Sequence, residues 1–335
     1  MVKLAINGFG RIGRNAFKIA FDRNDTEIVA INDLTDAKTL AHLLKYDSSY
    51  GIYACDVDFD DENIIVDGQK IRVYSEKEPQ NLPWGELGVD VVIESTGLFT
   101  NPEDARAHIE AGAKKVVISA PAKGDGAKTI VLGVNEDEVT VDDEILSNAS
   151  CTTNCIAPVM KVLEDNIGIE KAMMTTVHSY TASQKLQDAP AKDIREARAA
   201  AENIVPTTTG ASKAAAKTIP SLQGKFNGLS VRVPTPVVSL ADITAVTKRP
   251  TTIEEINEIF KKAASEDYYK GILAATEEEL VSIDFRGNSN SAIVDLPLTD
   301  VVDNNLIKVV AWYDNEWGYS NRLVELSVDF GKMGK

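Results

Sequence analysis

Apolar positions along the chain fall into two textures. In the first half, short β-branched runs at Val2–Ile6, Ile28–Ile31, Val89–Glu94, Val116–Ser119 and Thr129–Val134 alternate with stretches of helical spacing. The runs are apolar almost throughout, which suits strands covered on both faces, and the alternation predicts a parallel sheet with crossover helices. The helical stretches are Arg11–Asp22 and Pro102–Ala111, the second with Asn101 placed to cap it and Pro102 at its first position. In the second half the strand-like runs lengthen: Ala172–His178, Gly228–Val233, Ser239–Thr247, Ser291–Asp295 and Leu306–Tyr313. A helix is expected over Thr152–Asp165. Two more interrupt the strands at Ala211–Thr218 and Ile253–Ser265, the latter opened by Thr252 with Glu255 three residues on. Strands in runs with helices set apart predict a largely antiparallel sheet with helices on one face. Tyr319–Phe330 is again amphipathic and is expected to pack back on the first half. Residues 1–150 thus read as one domain and 151–315 as a second, with 316–335 returning to the first.

Size agrees with two domains, since 335 residues exceed the roughly 250–300 at which a single core stops growing. A hydrophobic fraction of 44% and a charged fraction of 26% describe an ordinary globular chain that needs neither disulfides nor metal to hold its core. The net charge of −16 argues against nucleic acid and anionic membrane as partners. No apolar run approaches the roughly 18 residues of a membrane span. Residues 1–13, MVKLAINGFGRIG, enter a strand and a glycine motif at once, leaving no room for a signal peptide. Cys55, Cys151 and Cys155 have no framework spacing. Together these features predict a cytoplasmic protein.

Gly8-Phe9-Gly10-Arg11-Ile12-Gly13 follows a predicted strand and opens a predicted helix. In that setting the glycines serve a tight turn, close approach of a pyrophosphate and close helix–strand packing, while the helix N-terminus offers free N–H groups. Asp33 ends the second strand, 20 residues beyond Gly13, where a carboxylate can bind ribose hydroxyls. That carboxylate accepts from a free 2′-hydroxyl and repels a 2′-phosphate. Asn32-Asp33-Leu34-Thr35-Asp36 holds no compensating cation, so NAD is favoured over NADP.

Ala149-Ser150-Cys151-Thr152-Thr153-Asn154-Cys155 lies where the two textures meet. Ile156, Val159, Met160 and Leu163 then recur at helical spacing, which puts Cys151 at a helix N-terminus. There the dipole and free amides favour a thiolate, so the thiol is expected to titrate below its ordinary value. Cys155, one turn deeper, reads as a buried small hydrophobe. These two cysteines have no nearby histidine, and no metal site is expected. Of three histidines, His42 sits in an apolar helix-like stretch, as a packing or surface residue, and His108 on the polar side of the Pro102–Ala111 helix. His178 ends a strand and enters a loop, the common position for a catalytic base.

At this point the sequence resembles the glyceraldehyde-3-phosphate dehydrogenase family of bacterial and eukaryotic type. The matching stretches are INGFGRIGR, ESTGLF, VVISAPA, SNASCTTNCIAP, VHSYTASQ, PTTTGASKA, VRVPTPVVS and WYDNEWGYSNR, in family order over nearly the whole chain. The resemblance implies a Rossmann NAD-binding domain, a catalytic α+β domain with a large mixed sheet, and a homotetramer. It also implies oxidation of glyceraldehyde 3-phosphate with NAD and inorganic phosphate through a cysteine thioester, with Cys151 as nucleophile and His178 as base. Both substrates carry phosphate, and the positions matching the two anion sites are Ser150, Thr152, Thr181, Thr209, Gly210 and Arg232. Hydroxyls, turn amides and a guanidinium fork suit that task. Thr207-Thr208-Thr209-Gly210 also reads as a cap for the helix after it. Toward the cofactor the resemblance brings in Arg11 and Ile12, Asp33, Lys77, Thr96 and Gly97, Ser119 and Asn315, the last to orient the nicotinamide amide.

Two positions depart from the family pattern. Arg195-Glu196 stands where many members carry two arginines, so the substrate phosphate is expected to rest on Arg232 and Thr181. Asp188-Ala189-Pro190 mixes the pair typical of NAD-specific members with that of NADP-tolerant ones. The nearest rival reading is erythrose-4-phosphate dehydrogenase, whose members usually lack the threonine after His-Ser-x and the Thr-Gly-Ala turn. Thr181 and Thr209-Gly210-Ala211 are intact here. Aspartate-semialdehyde dehydrogenase shares the chemistry but not the two central stretches, and the acidic charge disfavours an RNA-binding module.

Overall fold

The computed structural model describes residues 1–333 of the chain, and its backbone contacts divide into two compact units. One comprises Met1–Ile130, Glu136–Ala149 and the segment beginning at Ser320, and the other comprises Val131–Asn135 and Ser150–Tyr319.

The first unit is built on a nine-stranded sheet among the described residues. Its strands run in the order Lys128–Thr129, Ile145–Ser147, Lys115–Ile118, Val91–Glu94, Val2–Asn7, Thr26–Asn32, Gln69–Tyr74, Asn63–Val66 and Val57–Phe59. The first seven are mutually parallel, and the last two add an antiparallel edge. This is a Rossmann arrangement. The chain leaves Val2–Asn7 toward one side, through Arg11–Phe21 to Thr26–Asn32, and returns on the other side with Val91–Glu94. The order therefore reverses between Val2–Asn7 and Val91–Glu94, where a doubly wound sheet opens a crevice at its carboxyl ends. The central strands are buried on both faces: Leu4, Ala5, Ile6, Val91, Val92 and Ile93 are all fully inaccessible. Such two-sided burial produces continuous apolar runs rather than alternation.

The antiparallel edge was not anticipated from the pattern, because Val57–Phe59 and Gln69–Tyr74 carry exposed polar residues. A signal for it existed: Asp67 and Gly68 take φ +47° and +79°, the left-handed pair of a tight hairpin turn. The run Thr129–Val134 was expected as a strand, but only Lys128–Thr129 pairs. Gly133 at φ +82° breaks the extension, and the Val131 amide bonds the Asn135 side chain, so the apolar run is buried as a turn in the second unit. Pro102–Ala111 forms two short helices, Pro102–Ala105 and Ala107–Glu110, with Asn101 capping the first through the Glu103 amide. His108 is a correction: it lies fully buried rather than on a polar face. The Trp84 indole donates to its Nδ1 at 3.0 Å, and Glu94 lies 3.1 Å from its Nε2. His42 is exposed.

The closing helix spans Trp317–Lys332, and from Ser320 it belongs to the first unit. Gly331 allows close packing there, since a Cβ would lie 2.5 Å from Val2 and 2.9 Å from Val91. Lys115 stacks over the Phe330 ring at 4.0 Å. Residues 334 and 335, which the sequence reading included in this segment, lie outside the described residues.

In the second unit an eight-stranded mixed sheet has the order Val205–Thr208, Phe226–Val233, Ile169–Ser179, Ser239–Thr247, Leu306–Tyr313, Ala292–Asp295, Leu273–Thr276, with Asp300–Val302 also on Leu306–Tyr313. Five of its pairings are antiparallel and two parallel. Ser239–Thr247 alternates buried and half-buried positions over its whole length, the period of a sheet covered on one face. Among the described residues, Cys151–Asn166, Ala211–Thr218 and Ile253–Ser265 are the longer helices of this unit. Ser150 and Thr252 cap theirs through the Thr153 and Glu255 amides, contacts worth about 1 kcal/mol each. No helix among the described residues is long and apolar enough to cross a membrane.

Candidate active site

In the first unit, a cleft of about 480 Å³ opens at the carboxyl ends of the central strands. Its lining includes Asn7, Gly8, Gly10, Asn32, Asp33 and Thr96. Gly8 has φ +91°, and a Cβ there would lie 2.7 Å from the Thr96 amide nitrogen. At Gly13 a Cβ would lie 2.1 Å from the Gly8 carbonyl oxygen, so the helix could not approach the strand as it does. Gly10 faces open space and provides no side-chain cap, so a ligand's phosphate can approach the start of Arg11–Phe21. Asp33 is half-buried, and its Oδ2 accepts from the Phe9 amide at 2.8 Å. The glycine turn and the ribose-binding carboxylate are therefore held together by one hydrogen bond. These features fit a dinucleotide.

Other positions expected at the cofactor vary in what they offer. Arg11 binds Asp47 at 2.6 Å and lies over the Tyr50 ring, so its guanidinium is engaged beside the cleft. Ile12 is half-buried on the same turn. Lys77 is exposed at the cleft wall, Gly97 turns at φ +76°, and Ser119 ends the strand Lys115–Ile118 with its amide on the Glu94 carbonyl. Asp36, counted in the sequence as extra negative charge, caps Ala37–Lys45 through the Thr39 amide. Leu34, in the stretch after Asp33 that favours NAD, and Leu98, which sequence reasoning missed, are exposed by 57% and 75% and both line this cleft. Two exposed leucines beside a binding cleft are apolar walls suited to a flat ring.

The second unit contains the nucleophile centre. Ala149, immediately upstream, takes φ +54°, and Ser150 then caps the helix that begins at Cys151. Cys151 Sγ lies 3.5 Å from Nε2 of His178, which ends the strand Ile169–Ser179. Strand register places Arg232 directly beside His178. Its Nη1 lies 2.5 Å from His178 Nδ1 and 3.3 Å from the Ser179 carbonyl oxygen, which is itself 2.7 Å from Nδ1. The tautomer that can act as a base donates Nδ1–H to that carbonyl and leaves Nε2 to accept the thiol proton. A guanidinium only donates, so the 2.5 Å contact of Arg232 Nη1 with Nδ1 is a hydrogen bond only in the other tautomer, and in the base tautomer Arg232 must turn its donor to the carbonyl.

Electrostatics here correct one expectation. Burial and the adjacent Arg232 cation pull His178 down to about 3, against a smaller opposing effect of the Ser179 carbonyl. The imidazole is thus neutral at physiological pH and cannot hold a thiolate as an imidazolium. Burial also pushes the Cys151 thiol up, and Arg232 with the amides of the first helical turn pulls it down, without reversing the rise. The resting pair is therefore thiol and neutral imidazole. Cys155 is fully buried, its thiol pushed well up by burial.

Among the expected anion-site residues, Thr209 Oγ1 accepts from the Ala211 amide, and Gly210 is the N-cap of Ala211–Thr218. The cap reading is compatible with an anion site there, because a helix start still presents amides. The Thr152 hydroxyl is buried against the Tyr313 hydroxyl at 2.9 Å, and both that hydroxyl and the Thr152 amide act on the Cys151 thiol. Thr181 bonds Ser183, and Ser183 reaches Glu196 at 3.5 Å, while the Arg195 side chain is exposed. Buried Arg232 Nε has no hydrogen-bond partner among the described residues, a donor left over for an anion. Asp188 is occupied within its own loop by Arg198 and the Ala199 amide. Asn315 Oδ1 accepts from Ser239, which fixes the amide orientation.

Tyr313 was not singled out in the sequence. Its hydroxyl bridges Thr152 and Thr176, and its ring meets the His178 ring edge-on with centroids 6.0 Å apart. Only the fold brings residues 152, 176, 178 and 313 together, so no local signal could have found it.

Comparison with known proteins agrees with both units. Residues 2–102 match the glyceraldehyde 3-phosphate dehydrogenase NAD-binding domain, and residues 150–315 match the C-terminal domain of the same family. Glyceraldehyde-3-phosphate dehydrogenase of Geobacillus stearothermophilus is 55% identical over 99% of both chains. Glyceraldehyde-3-phosphate dehydrogenase 1 of Bacillus subtilis is 54% identical, again over 99% of both. The enzyme of that name from Borreliella burgdorferi is 54% identical over 97% of this chain and 98% of its own. With a dinucleotide cleft in one unit, a Cys–His pair in the other and this likeness along the whole chain, the protein belongs to the glyceraldehyde-3-phosphate dehydrogenase family of NAD-dependent oxidoreductases acting on an aldehyde group.

Proposed function

We propose that the protein converts glyceraldehyde 3-phosphate and inorganic phosphate into the acyl phosphate 1,3-bisphosphoglycerate, with Cys151 as nucleophile and His178 as base. The observation that carries this reading is the 3.5 Å contact between Cys151 Sγ and His178 Nε2 at a helix N-terminus. Neutral His178 takes the thiol proton as sulfur attacks the aldehyde carbon, giving a hemithioacetal on Cys151. The Cys151 amide, in the first helical turn, and the newly protonated His178 stabilise the developing oxyanion. NAD supplies the hydride acceptor that takes this adduct to the thioester level. Asp33, the glycine turn, Thr96–Gly97 and Ser119, with Arg11, Ile12 and Lys77, are the residues that would bind it, and Asn315 would orient its amide. Phosphate then attacks the thioester carbonyl, the acyl phosphate leaves, and sulfur recovers its proton from His178.

Two anions need two sets of donors. Ser150, the Thr152 amide, Thr209 and Gly210 supply one set, and Arg232 with Thr181 the other, Arg195 being kept from a larger part by neighbouring Glu196. Exposed Met173 and Leu229, on adjoining strands of the second unit, support a homotetramer by leaving a sheet face uncovered. The composition supports a cytoplasmic location.

Phosphate dependence tests the reaction. Without phosphate, NADH should appear as a burst of about one equivalent per site, followed by slow turnover as the thioester waits for an acceptor. Arsenate should restore continuous turnover. Equally fast steady-state turnover with neither anion present would make the enzyme a hydrolytic aldehyde dehydrogenase. Cofactor choice is tested separately. Asp33→Ala should narrow the preference for NAD over NADP by about tenfold in kcat/KM, since the carboxylate that repels a 2′-phosphate is gone. An unchanged ratio would move the selectivity to another residue.

A further inference from the structure

Across the carboxyl ends of three adjacent parallel strands of the first unit runs a chain of buried polar side chains that the chemistry above does not use. Asn7 pairs in register with Asn32 on one side and Glu94 on the other, straddling the point where the strand order reverses. Trp84, His108, Glu94, Asn7 and Asn32 are each at most 4% exposed. The Glu94 carboxylate accepts four hydrogen bonds. Oε1 takes the Thr96 amide and hydroxyl, and Oε2 takes Asn7 Nδ2 and His108 Nε2.

The direction of every bond in this chain is forced from its ends. The Trp84 indole can only donate, and it occupies His108 Nδ1, so the His108 proton sits on Nε2 and points at Glu94. At the far end the Glu76 amide can only donate, and it occupies Asn32 Oδ1. Asn32 Nδ2 must then donate to Asn7 Oδ1, which turns Asn7 Nδ2 toward Glu94. Donors thus converge on Glu94 from the protein interior, from the Asn7–Asn32–Glu76 side and from Thr96. Asn7, Asn32, Glu76 and Thr96 all line the dinucleotide cleft, and the Thr96 amide is also the atom against which Gly8 is packed.

We infer that Glu94 is a positioning residue for the cofactor: as the common acceptor of these converging donors, it sets the Thr96–Gly97 turn and the Asn7–Asn32 wall to which NAD binds. The inference rests on the dinucleotide reading of the cleft. A neutral amide in place of the carboxylate cannot accept on both sides. If its NH2 faces Thr96, it meets a backbone donor that cannot turn round. If it faces Asn7 and His108, Asn7 must flip against Asn32, and Asn32 against the Glu76 amide. Either way the misfit reaches the cleft wall.

The test is a charge swap. Glu94→Gln should weaken NAD binding by about 10- to 100-fold, the cost of one buried donor left facing another. Asn7→Asp alone places two carboxylates in contact and should also weaken binding. Combined, E94Q and N7D restore an acceptor for every donor. The atom replaced at position 7 lies 3.3 Å from His108 Nε2, so the new carboxylate can accept from His108, from the new amide and from Asn32. The double variant should bind NAD within about threefold of the unmodified protein. Affinities are measured by calorimetry, and amide exchange at Thr96 and Leu98 is followed without cofactor, where E94Q should speed exchange and the double variant slow it again. Wild-type affinity in E94Q, or a folded double variant no better than E94Q in affinity and exchange, overturns the inference. If E94Q does not fold, the double variant decides alone. If the unmodified protein fails to bind NAD, the dinucleotide reading falls, and the exchange measurements still decide whether Glu94 sets the turn.

Discussion

Replacing Cys151 by serine is expected to lower aldehyde oxidation on the order of 10⁴-fold while leaving the fold and NAD binding intact, because a hydroxyl at neutral pH is a far poorer nucleophile than sulfur. The substitution is nearly isosteric and keeps Ser150 as the cap of the helix. His178 would still stand beside the new hydroxyl, so the loss measures the nucleophile rather than the base. Turnover and NAD titration on the same preparation separate chemistry from binding. A serine variant with a tenth of wild-type turnover would refute Cys151 as nucleophile. Cys155→Ser is the internal control: Cys155 is fully buried, out of reach of a substrate, so most activity should survive in whatever fraction folds.

His178→Asn is expected to cost about 10²–10⁴-fold in kcat, the usual contribution of a positioned general base. Alkylation of Cys151 by iodoacetamide should slow at neutral pH as well. The resting thiol is protonated, and the neutral imidazole at 3.5 Å is what receives its proton. Coincident alkylation profiles for the two proteins would mean that the base lies elsewhere. The substitution also carries a stability signature. Burial and Arg232 pull His178 from the ordinary 6.5 to about 3 in the folded protein. Between those values the unfolded chain binds a proton that the folded chain does not, so this contribution is complete above pH 6.5 and is lost as pH falls toward 3. The loss is on the order of 5 kcal/mol over the window. Removing the imidazole should therefore make stability fall less steeply on the acid side in His178→Asn than in wild type. Denaturant melts at pH 7 and pH 5 measure the difference, and parallel losses would show that His178 titrates normally.

Several parts of this protein were legible from residues close together in the chain. The glycine turn with Asp33 beyond it is a local device, since a strand, a tight turn and a helix start follow one another directly, and the cleft forms around them. Cys151 at a helix N-terminus was equally legible, because the cap and the apolar spacing are written within one helix. The five strands expected in the second half were placed to within a few residues, Ser239–Thr247 and Leu306–Tyr313 at both ends, whereas the short strands Val205–Thr208, Leu273–Thr276 and Asp300–Val302 were not anticipated. Elements that depend on distant partners were not. The antiparallel edge at Val57–Tyr74 has exposed polar positions that local pattern reads as loop. His108 looked polar on its own helix and is buried because Trp84 and Glu94, 24 and 14 residues away, give both ring nitrogens a partner.

The same division holds at the active site. Sequence alone singled out the groups proposed to do chemistry, because a thiol at a helix start, an imidazole at a strand end and a glycine turn are each marked by their local setting. Tertiary structure decided their state. Arg232 comes beside His178 only through pairing of strands 54 residues apart, and that contact, with burial, keeps the imidazole neutral. Tyr313 reaches Thr152 across 161 residues and holds its hydroxyl in the interior. Burial and charge at a point depend on everything folded around it, and one-dimensional spacing carries no record of that sum.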